Sequence, residues 1–573
     1  MFEICIKNIF KPLLVIPAMA IILTGCGSNQ AVADQDVDLS ALGRNYGANK
    51  EITGDYNKSM AVKCQNGVFV GEETLGISAW RGIPFAKAPV GKLRFKAPVA
   101  PDASNRVYEA YNYGKLPLTI VAPYDPDTYS EDCLYLNVFT AKNDIKNKDV
   151  MVWIHGGGFV TESASDYMGD MFAYTHPDMV LVTIEYRLNF FGFTNFDDVP
   201  GGEEFDGAQN NGIKDQIMAL KWVKNNIAGF GGNPDNITLF GESAGSISTS
   251  ILALLDESNH IFNQAIMQSG THGYALPDGY TKPAATAMLN IFGAKNMDDL
   301  QNVSTEDFVN HLLDISAVQR IYGPAADGKL IPENMAQLYK DGKAKHLKFL
   351  IGYNEDECRY YCQRCKVDDE VGTERAFAHW MQNRQEKFEQ ELAKDKQSKA
   401  LVDECIAYWK NKGEIETDAV ESVLSEIAFG IGSLNQADVC SQYNDTYVYY
   451  FAYPSHGPIK RAAHGAELYT VFCGDIPEEF QVGDYQNMKK HVAEVWESFA
   501  KTGTPTIDGV PVSKYDTEKQ NVIVFDKDGK VFTQENYLTE HHDMLLPLLK
   551  YESYAMLLTF FPTNEEVVEY FAL

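Results

Sequence analysis

Cysteine is scarce in this chain, with 10 among 573 residues. That excludes a disulfide-stapled mini-protein, which packs its cysteines into a short sequence. Positive charge is short too: 49 Lys and Arg against 79 Asp and Glu leave a net charge of −30. Such a balance offers no basic face for phosphate, so nucleic acid is not an expected partner. It also gives no simple attraction to anionic lipid. No internal repeat of 20–50 residues and no low-complexity block occurs. Neither a GxGxxG nor a Walker A phosphate loop is present.

What is there fits a globular protein with a large core: apolar types make 45% of the chain and charged types 22%. The length alone suggests about three or four domains, although a large α/β enzyme can hold this length in one.

Residues 1–25 read as an export signal. Lys7 and Lys11 precede an apolar run from Leu13 to Leu23, shorter than the ~20 residues of a comfortable membrane span. The run ends Leu23-Thr24-Gly25-Cys26, which resembles the lipobox of bacterial lipoproteins. Cys26 is then the expected acylated first residue of the mature chain. Its acyl chains would anchor the protein to the membrane without help from charge. Residues 26–60 are polar and read as a flexible tether. The segment 61–573 is the expected folded domain, with an apolar C-terminal tail from about residue 543 that reads as a packed helix.

The body alternates strands and helices. The runs Val150–Ile154, Met179–Ile184, Ile237–Phe240, Phe349–Gly352 and Tyr447–Phe451 are short and almost wholly apolar, as central strands covered on both faces are. Ile213, Ile217, Leu220 and Lys224 have helical spacing, and the Gly229–Pro234 stretch stops that helix. Strand, helix, strand in this rhythm predicts an α/β fold with a mostly parallel sheet.

The chemistry concentrates at Gly241-Glu242-Ser243-Ala244-Gly245, which directly follows a predicted strand and precedes a helix-capable stretch. Flanking glycines allow a sharp turn that holds the serine proud of the sheet. A helix N-terminus behind it favours developing negative charge. A serine nucleophile needs a base, a group to orient the base, and donors for an oxyanion. His155-Gly156-Gly157-Gly158-Phe159 follows another strand, and its glycines can aim backbone N–H groups into a cavity. His155 itself reads as structural.

Phe230-Gly231-Gly232 through Gly245 resembles the serine signature of the type-B carboxylesterases, the cholinesterase-like esterases. Glu131 to Val138 resembles their second signature, and Arg81-Gly82-Ile83-Pro84-Phe85-Ala86, Tyr186-Arg187 and Gln268-Ser269-Gly270 also match, in order, between about Val62 and Phe525. The resemblance implies an α/β-hydrolase fold and a small-molecule ester substrate, with no cofactor and no metal. It implies Ser243 as nucleophile, Glu357 in Gly352-Tyr353-Asn354-Glu355-Asp356-Glu357 as the acid, and His464 in Ala463-His464-Gly465-Ala466-Glu467 as the base. The order Ser, acid, His is that of α/β-hydrolases. It implies oxyanion donors at Gly157, Gly158 and Ala244, a second carboxylate at Glu242 near the imidazole, and support for Glu357 from Ser269. Read as residues alone, Glu355 and Asp356 rival Glu357 in one acidic turn.

Several positions depart from the family pattern. Cys358 follows the acid where glycine is usual. Cys133 normally has an upstream disulfide partner, but Pro117 occupies that place and Cys64 is the available substitute. Cys358, Cys362 and Cys365 form a C-x3-C-x2-C cluster with no fourth zinc ligand at suitable spacing, so disulfides or free thiols are expected there. The tryptophan platform of cholinesterases is replaced near Pro123 and Tyr124, which argues against a dedicated choline ester. Tyr360 and Tyr361 could line the substrate gorge. The expected activity is ester hydrolysis through an acyl-enzyme. The alternatives are an amidase or carbamate hydrolase with the same triad, and a non-enzymatic surface binding protein.

Overall fold

The five apolar runs marked as strands lie in one sheet of eleven strands in a computed structural model that describes residues 45–119, 124–143, 145–363, 370–553 and 555. The strands are β1 (Glu72–Thr74), β2 (Ile77–Pro84), β3 (Tyr135–Ala141), β4 (Lys148–Ile154), β5 (Met179–Ile184), β6 (Gly232–Glu242), β7 (Gln264–Gln268), β8 (Lys348–Asn354), β9 (Thr446–Phe451), β10 (Val522–Phe525) and β11 (Val531–Gln534). Their spatial order is β1-β2-β3-β5-β4-β6-β7-β8-β9-β10-β11. From β5 to β10 every neighbour pair is parallel, and the pairs outside that block are antiparallel. This is the mostly parallel α/β sheet the alternating pattern implies, in keeping with the α/β-hydrolase fold that the resemblance implies.

Burial explains the sequence of the middle strands. Val150, Val152 and Ile154 join one hydrophobic core, while Met151 and Trp153 join a second core on the other face, and all five are fully buried. Both faces are covered, so both alternations must be apolar. The helix α1 (Gly169–Thr175) packs on the β3 side. The helix α2 (Asn211–Asn226) matches the predicted helix, and Gly231 in the left-handed region (φ +86°) turns the chain into β6. The helix α3 (Ala244–Leu252) follows the elbow directly, in the stretch marked as helix-capable. A four-residue turn α4 (Leu468–Val471) follows the His464 segment. The helix α5 (Tyr485–Thr502) buries Met488, Val492, Val495, Trp496 and Phe499 on one stripe, spaced as an amphipathic helix requires.

Two expectations need correction. Residues from about Tyr46 to 60, expected as part of the tether, are bonded to the body. The Gly47 N–H donates to the Tyr113 carbonyl (3.0 Å), Ile52 N–H to Val107 O (2.8 Å), and Glu109 N–H to Lys50 O (2.9 Å). The Asn49 side chain accepts from the backbone N–H groups of Tyr111 and Asn112. These bonds fix the chain to the body from about Tyr46 onward. The Cys64–Cys133 pairing is the second correction: Cys64 and Cys133 are buried free thiols, as are Cys405, Cys440 and Cys473. Pro117 and Cys133 line the same small cavity. Cys26, the signal and the first part of the tether lie outside the described residues, as do Cys365, Pro123 and the end of the tail. Leu545 and Leu548 of the tail are buried in the core. Among the described residues no helix is long and apolar enough to cross a membrane.

Candidate active site

The strand β6 ends at Glu242, and α3 begins at Ala244, so Ser243 alone makes the turn. Its backbone sits at φ +56°, ψ −120°, a conformation L-residues avoid and one that an overdetermined site can hold. The flanking glycines have no alternative. A Cβ on Gly241 would lie 2.5 Å from the Gly245 carbonyl carbon, and one on Gly245 would lie 2.0 Å from the Ile154 carbonyl oxygen. The Ala244 N–H opens α3, where no intrahelical acceptor exists for it.

The chain leaving β4 wraps around this elbow. Gly157 and Gly158 both have left-handed backbones, at φ +80° and +60°. The neighbouring Gly156 is pressed so closely on the elbow that a Cβ there would sit 2.8 Å from the Glu242 carboxylate and 3.3 Å from Ser243 Cβ. Ala244 adjoins the serine in the chain, and Gly157 and Gly158 directly follow the Gly156 contact. His155 lies beneath them, stacked on Tyr186 with ring centroids 4.4 Å apart. Burial holds its imidazole neutral by pushing it down to about 3. The Tyr186 hydroxyl donates to the His155 carbonyl at 3.0 Å. His155 is a buttress, as its position before the glycines suggested.

The acidic turn after β8 resolves the three-way ambiguity. Glu355 points to Lys527 Nζ at 2.7 Å. Asp356 faces Arg359 and Arg461 and accepts from Ala462 N–H. Glu357 alone turns inward. Its Oε2 meets His464 Nδ1 at 2.5 Å, while its Oε1 accepts from Ser269 Oγ (2.6 Å) and from the Asn354 N–H (2.8 Å). Cys358, after the acid, is buried and its N–H donates to Ser425 Oγ at 2.9 Å. Its φ is not left-handed, so a side chain at that position strains nothing.

On the far side of the ring, His464 Nε2 lies 3.1 Å from Glu242 Oε1. The Ser243 hydroxyl makes no hydrogen bond to it in this arrangement. Two carboxylates thus flank one buried imidazole. Burial opposes the imidazolium, but Glu242 and Glu357 outweigh it and raise His464 to about 9. Burial pushes Glu242 the other way, well above the usual carboxylate range, so it readily holds a proton itself. Long serine–histidine distances are common before substrate binds.

Other groups around the ring carried no mark in the sequence. Phe429, from a π-helical turn over Glu426–Gly430, covers the His464 face at 4.6 Å between centroids. Tyr360 meets the ring edge-on at 5.9 Å, consistent with its expected place beside the gorge; the Tyr361 side chain lies outside the described residues. Glu467, within the His464 motif but without an assigned role, accepts from Gln268 Nε2 (2.8 Å) and Asn354 Nδ2 (2.7 Å), tying together β7, β8 and the His464 turn. Glu162 is the least expected. It adopts φ +67° four residues past the glycine run. Its enclosed carboxyl accepts from the Tyr167 hydroxyl at 2.7 Å, and burial raises it to about 7.

Two of the quoted motifs serve the frame. Glu131 makes a buried two-point pair with Arg94, at 2.6 Å each, and Arg187 a similar pair with Asp215, at 2.8 and 2.7 Å. Among the described residues, His491, Glu494 and Asp508 lie close enough to share an ion. Their oxygens are already engaged: Asp508 by Lys490, and Glu494 by Thr506 Oγ1 and the Gly509 N–H.

A histidine held between a buried carboxylate and a strained serine elbow, with glycine N–H groups alongside, is a hydrolase arrangement, and the family model described as "Carboxylesterase family" matches residues 58–544. The chain belongs to the carboxylesterase family. It is 30% identical over 492 residues to the para-nitrobenzyl esterase of Bacillus subtilis (strain 168), covering 82% of this chain and 95% of that one. It is 31% identical over 473 residues to the pyrethroid hydrolase Ces2e of Rattus norvegicus, covering 78% and 81%. Among solved structures, a carboxylesterase of Geobacillus stearothermophilus at pH 6.2 superposes with a TM-score of 0.71 at 31% identity, covering 85% of this chain and 99% of that one. A para-nitrobenzyl esterase structure superposes with a TM-score of 0.69 at 29% identity and the same coverage. As a member of this family, the chain is a carboxylic ester hydrolase with the α/β-hydrolase fold.

Proposed function

We propose that this esterase works through a Ser243–His464–Glu357 triad and an acyl-enzyme. His464 Nε2 takes the Ser243 proton as Oγ attacks the ester carbonyl. The oxyanion is met by the N–H groups of Gly157, Gly158 and Ala244. The imidazolium, held by Glu357, then protonates the departing alcohol, and water repeats the sequence on the acyl-enzyme. The observation that carries this reading is the 2.5 Å contact between His464 Nδ1 and Glu357 Oε2. It leaves Nε2 as the only ring nitrogen able to exchange a proton with substrate.

The pH profile tests it. The working base is the neutral imidazole, so kcat/KM rises with pH as the imidazolium is lost. The flanking carboxylates stabilise that imidazolium, so the limb should lie above the ~6.5 of a free histidine. Because Glu242 and His464 exchange one proton at close range, the limb belongs to the pair. Glu242→Gln should move it down by about one unit. An unshifted limb, or one at or below that of a free histidine, would count against the assignment.

The cellular address rests on the Leu23-Thr24-Gly25-Cys26 ending of the signal. In this reading the enzyme is exported and held in the cell envelope by lipid on Cys26, with a tether ending near Tyr46. Cys26→Ser should release the activity from the membrane fraction into the soluble one. Unchanged partitioning would remove the anchor from the account.

A further inference from the structure

A second line of nucleophile, histidine and carboxylate exists away from the esterase site. Cys473 Sγ lies 3.1 Å from His176 Nε2, and His176 Nδ1 lies 2.6 Å from Glu497 Oε2. The three residues come from the end of the α4 turn, the C-cap of α1 and the middle of α5, so the tertiary fold assembles them. Lys501 Nζ in turn pairs with Glu497 and, at 2.5 Å, with Asp178. The sulfur's contact with the Val471 carbonyl is much longer, at 3.8 Å.

Two features describe this thiol. Its sulfur lies within hydrogen-bond distance of the imidazole, at 3.1 Å. Cys473 also holds φ +60°, a left-handed backbone that costs a non-glycine residue of order 1 kcal/mol or more. The strain is retained at the residue whose side chain completes the line.

We propose that Cys473, His176 and Glu497 form a thiolate–imidazolium centre that is a site of oxidation by small hydroperoxides. The Cys473 thiolate attacks one peroxide oxygen and the O–O bond breaks. The departing hydroxide takes the proton from His176 Nε2 and leaves as water. The sulfur ends as a sulfenic acid, oxidised by the two electrons the peroxide gains. Glu497 holds the ring on its other nitrogen throughout, and Lys501 and Asp178 hold Glu497.

The electrostatics agree with the geometry. Burial opposes a charge on His176, but the facing Cys473 and Glu497 raise it to about 10. Burial likewise opposes a charged Glu497, and His176 and Lys501 nevertheless lower it to about 2. The centre lies just under the surface. Cys473 and His176 are 4% and 3% exposed, whereas the Glu497, Lys501 and Asp178 side chains are 25%, 27% and 35% exposed.

The test uses the folded full-length protein and iodoacetamide, with labelled peptides quantified by mass spectrometry. An unpaired thiol near its ordinary pKa loses roughly two hundredfold in alkylation rate from pH 8 to pH 5.5. Cys473 should lose less than threefold, and dilute hydrogen peroxide followed by dimedone should leave the dimedone adduct on it. His176→Gln should restore the steep pH dependence. Should that variant not fold, the wild-type profile decides alone. A steep wild-type profile, a Cys473 that labels only after denaturation, or a flat profile with no dimedone adduct would each overturn the proposal.

Discussion

Replacing Ser243 with alanine should lower kcat/KM toward p-nitrophenyl acetate by about 10⁵-fold while the protein stays folded. The size follows from what is removed. Every covalent step of the proposed cycle begins at Ser243 Oγ, and no second hydroxyl stands on the elbow between Glu242 and Ala244. The donors at Gly157, Gly158 and Ala244 remain, so a residual rate above that of water is expected. The fold should tolerate the change. The elbow strain is a property of the backbone, and its glycine contacts with Ile154 and Gly245 do not involve the serine side chain. Circular dichroism and denaturant unfolding would separate loss of chemistry from loss of structure.

Glu357→Gln should cost about 10⁴-fold in kcat, for a reason visible in the bond pattern. Oε1 accepts from two donors, Ser269 Oγ and the Asn354 N–H, and Oε2 faces His464 Nδ1. A glutamine must keep its carbonyl oxygen where the two donors converge. Its NH₂ then points at Nδ1 and forces that nitrogen to accept. The ring proton moves to Nε2, where it blocks removal of the serine proton. Glu355→Gln is the matched control, since Glu355 faces Lys527 at 2.7 Å and not the imidazole. It should change kcat by no more than a few-fold. The reverse result would mean that the acid is Glu355.

The parts of the site that were legible in the sequence are those set by local backbone geometry. Gly241 and Gly245 are required by contacts with their own loop and with β4. Gly157 and Gly158 are required by left-handed backbones. Such constraints leave a readable signature. The central strands were legible for a similar reason, since burial on both faces erases the polar alternation. The acidic turn was not decidable residue by residue. Lys527 and Arg461, distant in sequence, together with the nearby Arg359, engage Glu355 and Asp356 and leave Glu357 to face His464. Phe429 and Glu162 reach the site through tertiary packing and belong to no motif. The tether was overextended because Tyr46 to Ile52 is polar in composition, yet its backbone is bonded to the segment around Val107–Tyr113. The disulfide expectation for Cys133 came from the family pattern, and Cys64, the available substitute, is a free thiol, as is Cys133.

The −30 charge takes a modest place in this account. It carries no information about the ester. At the site, negative charge matters only where burial confines it, around one histidine.

The central claim is that Ser243 carries the acyl group. Mass spectrometry of the wild-type enzyme after reaction with a fluorophosphonate tests it most directly. The account predicts a single phosphonyl adduct, located on the peptide containing Gly241-Glu242-Ser243-Ala244-Gly245 and absent from Ser243→Ala. An unlabelled enzyme that still hydrolyses p-nitrophenyl acetate, or an adduct on a different residue, would contradict it.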